Sequence, residues 1–166
     1  MEFSRLVPLI RLAGGKFHQH IAADEAECSA LAKRFGLVSL GRLEADVELA
    51  REAAGTILLT GAFGADFAQE CIVTLDPVEG SVSEGFQLRY GLPDAEDDAP
   101  GGEVDPAFEP LIGEAIDIGE AVAQEFSLTL PLFPRAIGAT IEDERPKDPS
   151  ESPFAALRGL GRRETR

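Results

Sequence analysis

Residues 42–50, RLEADVELA, alternate between polar and apolar side chains as far as Leu49, and this pattern indicates the fold class. A period of two places apolar side chains on one face of a β-strand and charged side chains on the other. One buried and one solvated face is typical of an antiparallel sheet. We interpret four further stretches as strands: residues 16–21, 56–63, 67–75 and 82–90. Their short connections favour antiparallel pairing.

Three glycines interrupt these strand patterns, namely Gly61, Gly64 and Gly85. Glycine inside a strand is typical of a bulge or a tight bend. We therefore predict a strongly curved or barrel-like sheet. Residues 3–12 add an edge strand, because Pro8 has no N–H group to donate to a central ladder.

Two stretches change to a helical period. Asp24 and Glu27 have the spacing of an N-terminal capping pair. Apolar residues then recur at i, i+3, i+4 and i+7: Cys28, Leu31, Ala32 and Phe35. A second helix begins near Asp117, with Glu120 at the capping spacing, and stops before Pro131. We predict an α+β fold with a mainly antiparallel sheet and two principal helices.

The composition changes at two points along the chain. Residues 93–110 are rich in carboxylates, glycine and proline and contain one large aromatic residue, so we predict an acidic loop. Residues 136–166 are polar, and we predict a partly disordered C-terminal tail. The chain is therefore expected to form a single α+β domain over residues 1–135, followed by that tail.

The chain of 166 residues carries a formal net charge of -15. So much negative charge repels the phosphate backbone of nucleic acids and attracts basic proteins. The alternative is that the acidity serves solubility alone, since net charge acts directly on solubility.

The sequence offers few groups for catalysis or metal binding. Its only sulfur and imidazole ligands are Cys28, Cys71, His18 and His20, too few and too scattered for a structural zinc site. The two histidines share a strand face and are interpreted as solvated. Glycine-rich phosphate-binding motifs and a nucleophile elbow are absent from the sequence. We predict no metal, no cofactor and no enzymatic activity, with a carboxylate-based hydrolase as a minor alternative.

Targeting signals are also missing from the sequence. No segment approaches the roughly 18 consecutive apolar residues of a membrane span, and the first ten residues do not resemble a signal peptide. We expect a cytoplasmic protein with reduced thiols and no membrane partner.

Three segments occur in a familiar order. They are CIVTLDPV at 71–78 with FQLRY at 86–90, then IDIGEAVAQEF at 116–126, then SPFAAL at 152–157. In this order the chain resembles the YceD family, the large ribosomal RNA subunit accumulation proteins of bacteria and plastids. The resemblance extends from about residue 3 to residue 160.

The chain departs from the family at its cysteines. Many members carry a Cys-x-Arg-Cys-Leu element and a second cysteine pair near the end. Here Ala68, Glu70 and Ile72 stand where the first cysteine, the arginine and the leucine would fall, and no cysteine follows Cys71. The sequence is similar to a metal-free, proteobacterial-type branch, and Cys71 is interpreted as a packed strand residue.

The resemblance implies a role in the accumulation or processing of large-subunit ribosomal RNA, and it transfers no catalytic residues. We expect a non-catalytic factor that binds a basic ribosomal or ribosome-assembly protein. The candidate contacts are carboxylates of the loop and of the second helix: Asp94, Glu96, Asp97, Asp98, Asp117, Glu120 and Glu125. For the start of that helix, a cap docked on the sheet is the favoured interpretation, and a partner contact is the alternative.

Direct RNA binding or ribosomal RNA processing is the alternative function. It would use the arginines of the C-terminal tail: Arg158, Arg162, Arg163 and Arg166. A few arginines beside so much negative charge would bind phosphates weakly and in a salt-sensitive way. The sequence leaves the partner and the oligomeric state open.

Overall fold

The computed structural model describes residues 2–52, 55–92 and 106–140. Four carboxylates of the predicted acidic loop and the four tail arginines lie outside the described residues. Those eight positions are Asp94, Glu96, Asp97, Asp98, Arg158, Arg162, Arg163 and Arg166.

The described part of the chain is an α+β fold of seven strands, two α-helices and one 3-10 helix. The strands are β1 (Leu6–Pro8), β2 (Lys16–Ala22), β3 (Ser39–Arg51), β4 (Ile57–Glu70), β5 (Pro77–Gly91), β6 (Ala107–Pro110) and β7 (Ala115–Asp117). The helices are the 3-10 helix (Leu9–Gly14), α1 (Glu25–Phe35) and α2 (Ile118–Thr129). The predictions of an α+β class and of two principal helices are confirmed.

Five strands form the main sheet in the order β2-β3-β4-β5-β6, and β1 pairs with β7 in a separate two-stranded ladder. Neighbouring strands of the main sheet run antiparallel except β5 and β6, which are parallel. The prediction of a mainly antiparallel sheet is therefore confirmed.

The prediction of a strongly curved or barrel-like sheet is not supported. The sheet is open, since β2 and β6 are its two ends and are not paired with each other in the described chain. Two of its glycines make room for aromatic rings instead. A Cβ on Gly61 would overlap the ring of Phe86, its cross-strand partner, and one on Gly80 would lie 2.8 Å from the ring of Phe67.

The alternation that defines β3 is present in the structure. Its inward residues are almost fully buried: Leu43, Ala45, Val47 and Leu49. The strand character predicted at 56–63 and 67–70 is confirmed, but the predicted break between them and the continuation over 71–75 were wrong. β4 runs unbroken from Ile57 to Glu70, and the chain then turns. The predicted edge strand at 3–12 is reduced to β1, which Pro8 ends before the 3-10 helix.

Both α-helices pack on one face of the sheet, and Phe126 of α2 joins them. The Phe126 ring is fully buried and lies 5.9 Å from Phe35 of α1, 6.3 Å from Phe63 and 5.7 Å from Phe67, measured between ring centroids. Edge-to-face contacts of this kind add to the roughly 1.5–3 kcal/mol gained by burying a phenylalanine. One side chain thus connects α1, α2 and β4.

The predicted capping pattern is complete at the start of α1 and only partial at the start of α2. At α1 the Asp24 and Glu27 side chains satisfy each other's backbone N–H groups, and Gly36 ends the helix in the left-handed conformation at φ 66°. At α2 the Asp117 carboxylate accepts the N–H groups of Gly119 and Glu120. The Glu120 carboxylate instead binds a residue of α1, so this cap is not reciprocal.

The N-terminal segment lies directly against the first turn of α2. The carbonyl oxygen of Phe3 would be 2.6 Å, and the backbone nitrogen of Arg5 3.0 Å, from a Cβ placed on Gly119. Glycine is therefore required here by the close approach of the two backbones.

We expect Gly119→Ala to lower the free energy of unfolding by about 2 kcal/mol, because one of two backbone segments must shift to admit the methyl group. Gly14→Ala is the matched control, since no atom lies within 4 Å of the added Cβ. Chemical denaturation measures both values. Equal effects of the two substitutions would contradict the close-packing explanation.

Candidate functional site

Asp117 holds the N-terminal segment as well as the helix it caps. Its carboxylate accepts the Arg5 N–H at 2.7 Å and the Ser4 hydroxyl at 2.5 Å. Arg5 in turn forms a two-point ion pair with Glu27 of α1. Asp117 is thus engaged within the fold, as the cap interpretation expects, and a partner contact through it stays a prediction.

Glu120 is committed to an ion pair between the two helices. Both of its carboxylate oxygens accept hydrogen bonds from the Arg34 guanidinium, at 2.6 and 2.8 Å, and its side chain is 14% exposed. The hydrogen bonds from Arg34 lower the pKa of Glu120. This contact fixes α2 against α1, and it leaves little of Glu120 for a partner.

Glu125 has a different environment, near Glu109 of β6 and Tyr90 of β5. Partial burial, and then the charge of Glu109, raise the pKa of Glu125. Burial, with the charges of the same two glutamates and Asp117, also raises the pKa of Tyr90. Glu125 therefore lies between α2 and the sheet in an unfavourable electrostatic environment.

The outer face of the sheet carries charges that are largely paired with one another. Lys16 binds Glu48, and Arg42 bridges Glu44 and Asp66. His18 and His20 both approach Asp46, at 3.7 and 3.2 Å, and all three side chains are more than half exposed. Within the described ranges, no group of three His, Cys, Asp or Glu residues is arranged to hold a metal ion.

Cys71 begins a tight loop, whereas the sequence predicted it within a strand. The Cys71 N–H donates to the Asp76 carbonyl oxygen at 2.8 Å, and the Leu75 N–H donates back to Cys71 at 3.0 Å. Leu75 adopts a left-handed φ of 63°, which is uncommon for a branched aliphatic residue. Residues 71–75 have apolar side chains at alternate positions, which is typical of a strand, although their backbone forms a turn.

Three backbone N–H groups converge on the buried Cys71 sulfur. They belong to Val73 and Thr74, each 3.4 Å from Sγ, and to Ala136, 3.3 Å away. The Ala136 N–H, together with hydrogen bonds from Thr74 and Val73, lowers the pKa of Cys71 to about 6. The sulfur therefore favours the thiolate at neutral pH, and it connects the loop to the segment that follows α2.

That following segment, residues 131–137, presents apolar side chains to solvent. Its backbone is held by two more hydrogen bonds, from the Ile72 N–H to the Pro134 carbonyl at 3.0 Å and from the Gln69 side chain to the Pro131 carbonyl at 3.2 Å. We define the Cys71-loop surface as the exposed apolar residues of the two segments: Ile72, Leu75, Leu132, Phe133 and Ile137.

Sequence reasoning did not identify the Cys71-loop surface. The prolines of residues 131–134 indicate only the end of a helix, and residue 136 begins the predicted tail. A usable signal was present, since residues 131–137, PLFPRAI, combine two prolines with three large apolar residues that fit neither a helical nor a strand period.

Comparisons of the chain with known protein families, with characterised proteins and with solved structures find no match. The similarity to the YceD family rests on the residues quoted above. In the described ranges, none of the helices has the length and apolar character needed to cross a membrane.

Glutamine substitutions at Glu120 and Glu125 should change stability in opposite directions at pH 7. Glu120 has a lowered pKa, so its stabilisation is present above the unfolded value of about 4.3 and is lost as the pH falls. Glu125 has a raised pKa, so its ionisation destabilises the fold as the pH rises. We expect Glu120→Gln to cost about 1 kcal/mol and Glu125→Gln to raise the melting temperature.

Thermal unfolding at pH 7 and at about pH 3 measures the change in melting temperature that each variant causes. Both changes should become smaller at the lower pH, because the carboxylates become protonated. The two variants serve as controls for each other, because each removes one negative charge. Shifts of the same sign would contradict the assigned environments.

Cys71→Ala should lower the melting temperature, because three N–H groups lose their acceptor. The folded-state pKa of about 6 is below the unfolded value of about 8.5, so the thiolate's stabilisation is complete above the unfolded value and is lost as the pH falls through 6. The difference between wild type and variant should therefore grow between pH 6 and pH 9.

Cys28→Ala is the matched control for this pH dependence. Burial raises the pKa of Cys28, so its thiol stays neutral through most of that range. Melting curves that give Cys71→Ala and Cys28→Ala the same pH dependence would show that the convergent N–H groups do not stabilise a thiolate.

Proposed function

We propose that this protein is a non-catalytic, cytoplasmic factor in large ribosomal subunit biogenesis that binds a basic protein partner. The observation that carries the proposal is the charge balance of 30 acidic against 15 basic residues. Five described cations are already in ion pairs with glutamate or aspartate: Arg5, Lys16, Arg34, Arg42 and Arg89. The surplus carboxylates are available to a lysine- and arginine-rich partner, and their field accelerates its association.

The ribosomal assignment is supported by the resemblance to the YceD family. Two of the resembling segments coincide with defined parts of the fold, since residues 71–78 form the Cys71 loop and the start of β5, and residues 116–126 form the end of β7 and most of α2. The family role in large-subunit ribosomal RNA accumulation would then be indirect, through a protein that acts on the ribosome.

Affinity capture from native lysate tests this function. The tagged full chain is expected to retain basic ribosomal or assembly proteins after ribonuclease treatment, and to lose them as salt increases. Ribosomal RNA retained at low salt, with proteins lost on ribonuclease treatment, would favour the alternative of direct RNA binding by the tail arginines. A capture with neither class enriched would rule out the ribosomal assignment.

The acidic loop can be tested separately. Neutralising Asp94, Glu96, Asp97 and Asp98 together to the corresponding amides should weaken capture if these carboxylates contact the partner. The matched control neutralises four carboxylates of the C-terminal tail, namely Glu142, Asp143, Glu144 and Asp148, and so changes the net charge equally. Equal capture by both variants would show that the loop has no specific contact.

A further inference from the structure

The Cys71-loop surface exposes several large apolar side chains to solvent. Leu75 is 67% exposed, Leu132 86% and Phe133 74%, and Ile137 is fully exposed. Isolated apolar residues on a surface are ordinary, but several carried by two adjoining segments are typical of an interaction site.

The backbone beneath these side chains is fixed. Hydrogen bonds from Ile72 to Pro134 and from Ala136 to the Cys71 sulfur connect the two segments, and a third from Gln69 to Pro131 connects the second segment to the end of β4. A site held in place in this way loses less conformational freedom when a ligand binds, which favours affinity.

The carboxylates nearest the loop in sequence lack ion pairs within the described chain. Glu70 precedes Cys71, Asp76 ends the loop, and Glu79 follows on β5, all three being exposed. Arg135 is the one cation that the two segments carry. The loop and the strand ends that flank it therefore carry exposed apolar side chains together with an excess of exposed negative charge.

We propose that the Cys71-loop surface is the docking site for a lysine- and arginine-rich protein segment that carries aliphatic or aromatic side chains along one side. This inference rests on the proposed function and names the place where its basic partner binds. The apolar side chains of the segment pack on Ile72 and Phe133, and its cations lie beside Glu70, Asp76 and Glu79. Charge complementarity selects this occupant, since an RNA strand would be repelled by the same carboxylates.

A fluorescein-labelled synthetic peptide with leucine and phenylalanine on one helical side and lysine and arginine on the other provides the test. Its anisotropy is measured with the purified full chain. The double variant Ile72→Ser, Phe133→Ser should weaken binding roughly tenfold or more, as expected for central apolar anchors. The triple variant Glu70→Gln, Asp76→Asn, Glu79→Gln should weaken binding and reduce its salt dependence.

The matched control is Ile10→Ser with Ile112→Ser, which removes two apolar side chains that are 80% and 84% exposed elsewhere on the molecule. All substituted side chains project into solvent or are partly exposed, so circular dichroism and the melting temperature should stay unchanged. Equal weakening by the control pair, or unchanged binding by the Ile72 and Phe133 variant, would overturn the proposal.

Other occupants give distinct results, each of which overturns the proposal. A second copy of the chain would appear in sedimentation as self-association that the double variant abolishes. The chain's own C-terminal segment would be the occupant if the wild-type chain left the peptide unbound and Phe154→Ser with Leu157→Ser allowed it to bind. Preferential binding of a single-stranded RNA oligonucleotide would assign the surface to nucleic acid.

The peptide measurement and the lysate capture fail independently. If capture enriches ribosomal proteins but the Ile72 and Phe133 variant captures them equally, the docking site is wrong and the proposed function stands. If the peptide binds through this surface but capture enriches no ribosomal protein, the docking site stands and the ribosomal assignment is wrong.

Discussion

The Asp117 carboxylate brings together parts of the chain that are more than one hundred residues apart. It accepts the backbone N–H of Arg5 and the hydroxyl of Ser4, and it also caps the first turn of α2. These bonds align β1 with β7 and place α2 where Phe126 reaches the sheet. The close approach of Phe3 to Gly119 depends on the same alignment, so the position of the second helix follows from one partly buried anchoring point.

The carboxylates of the described chain fall into two groups. Some are in ion pairs that maintain the fold, and others have no ion pair and are accessible to a partner. Glu27 binds Arg5 and holds the N-terminal segment on α1, whereas Glu120 binds Arg34 and holds α2 on α1. On the outer sheet face, Glu48 and Asp66 are in ion pairs with Lys16 and Arg42. Glu70, Asp76 and Glu79 are instead exposed at or near the Cys71 loop and have no ion pair within the described residues. An acidic composition can thus reflect two roles, which only the three-dimensional arrangement distinguishes.

Sequence periodicity was sufficient to predict the type of an element where one of its faces is buried and the other is solvated, as in β3 and α1. It failed in residues 71–75, because apolar residues at alternate positions are compatible with a strand and with an apolar turn. It failed again at Gly61, where the missing side chain admits an aromatic ring and does not bend the sheet. The Cys71-loop surface escaped prediction because it depends on hydrogen bonds between residues about 65 positions apart.

The glycine–phenylalanine pairs across β4 and β5 have a consequence for how such a sequence can diverge. Gly61 lies opposite Phe86, and Gly80 lies opposite Phe67. Each ring covers the backbone of the glycine facing it, so a side chain at the glycine is accommodated only if the aromatic partner becomes smaller. Substitutions at the glycine and the phenylalanine of a pair should therefore covary in related sequences, with a larger residue at one position accompanied by a smaller residue at the other.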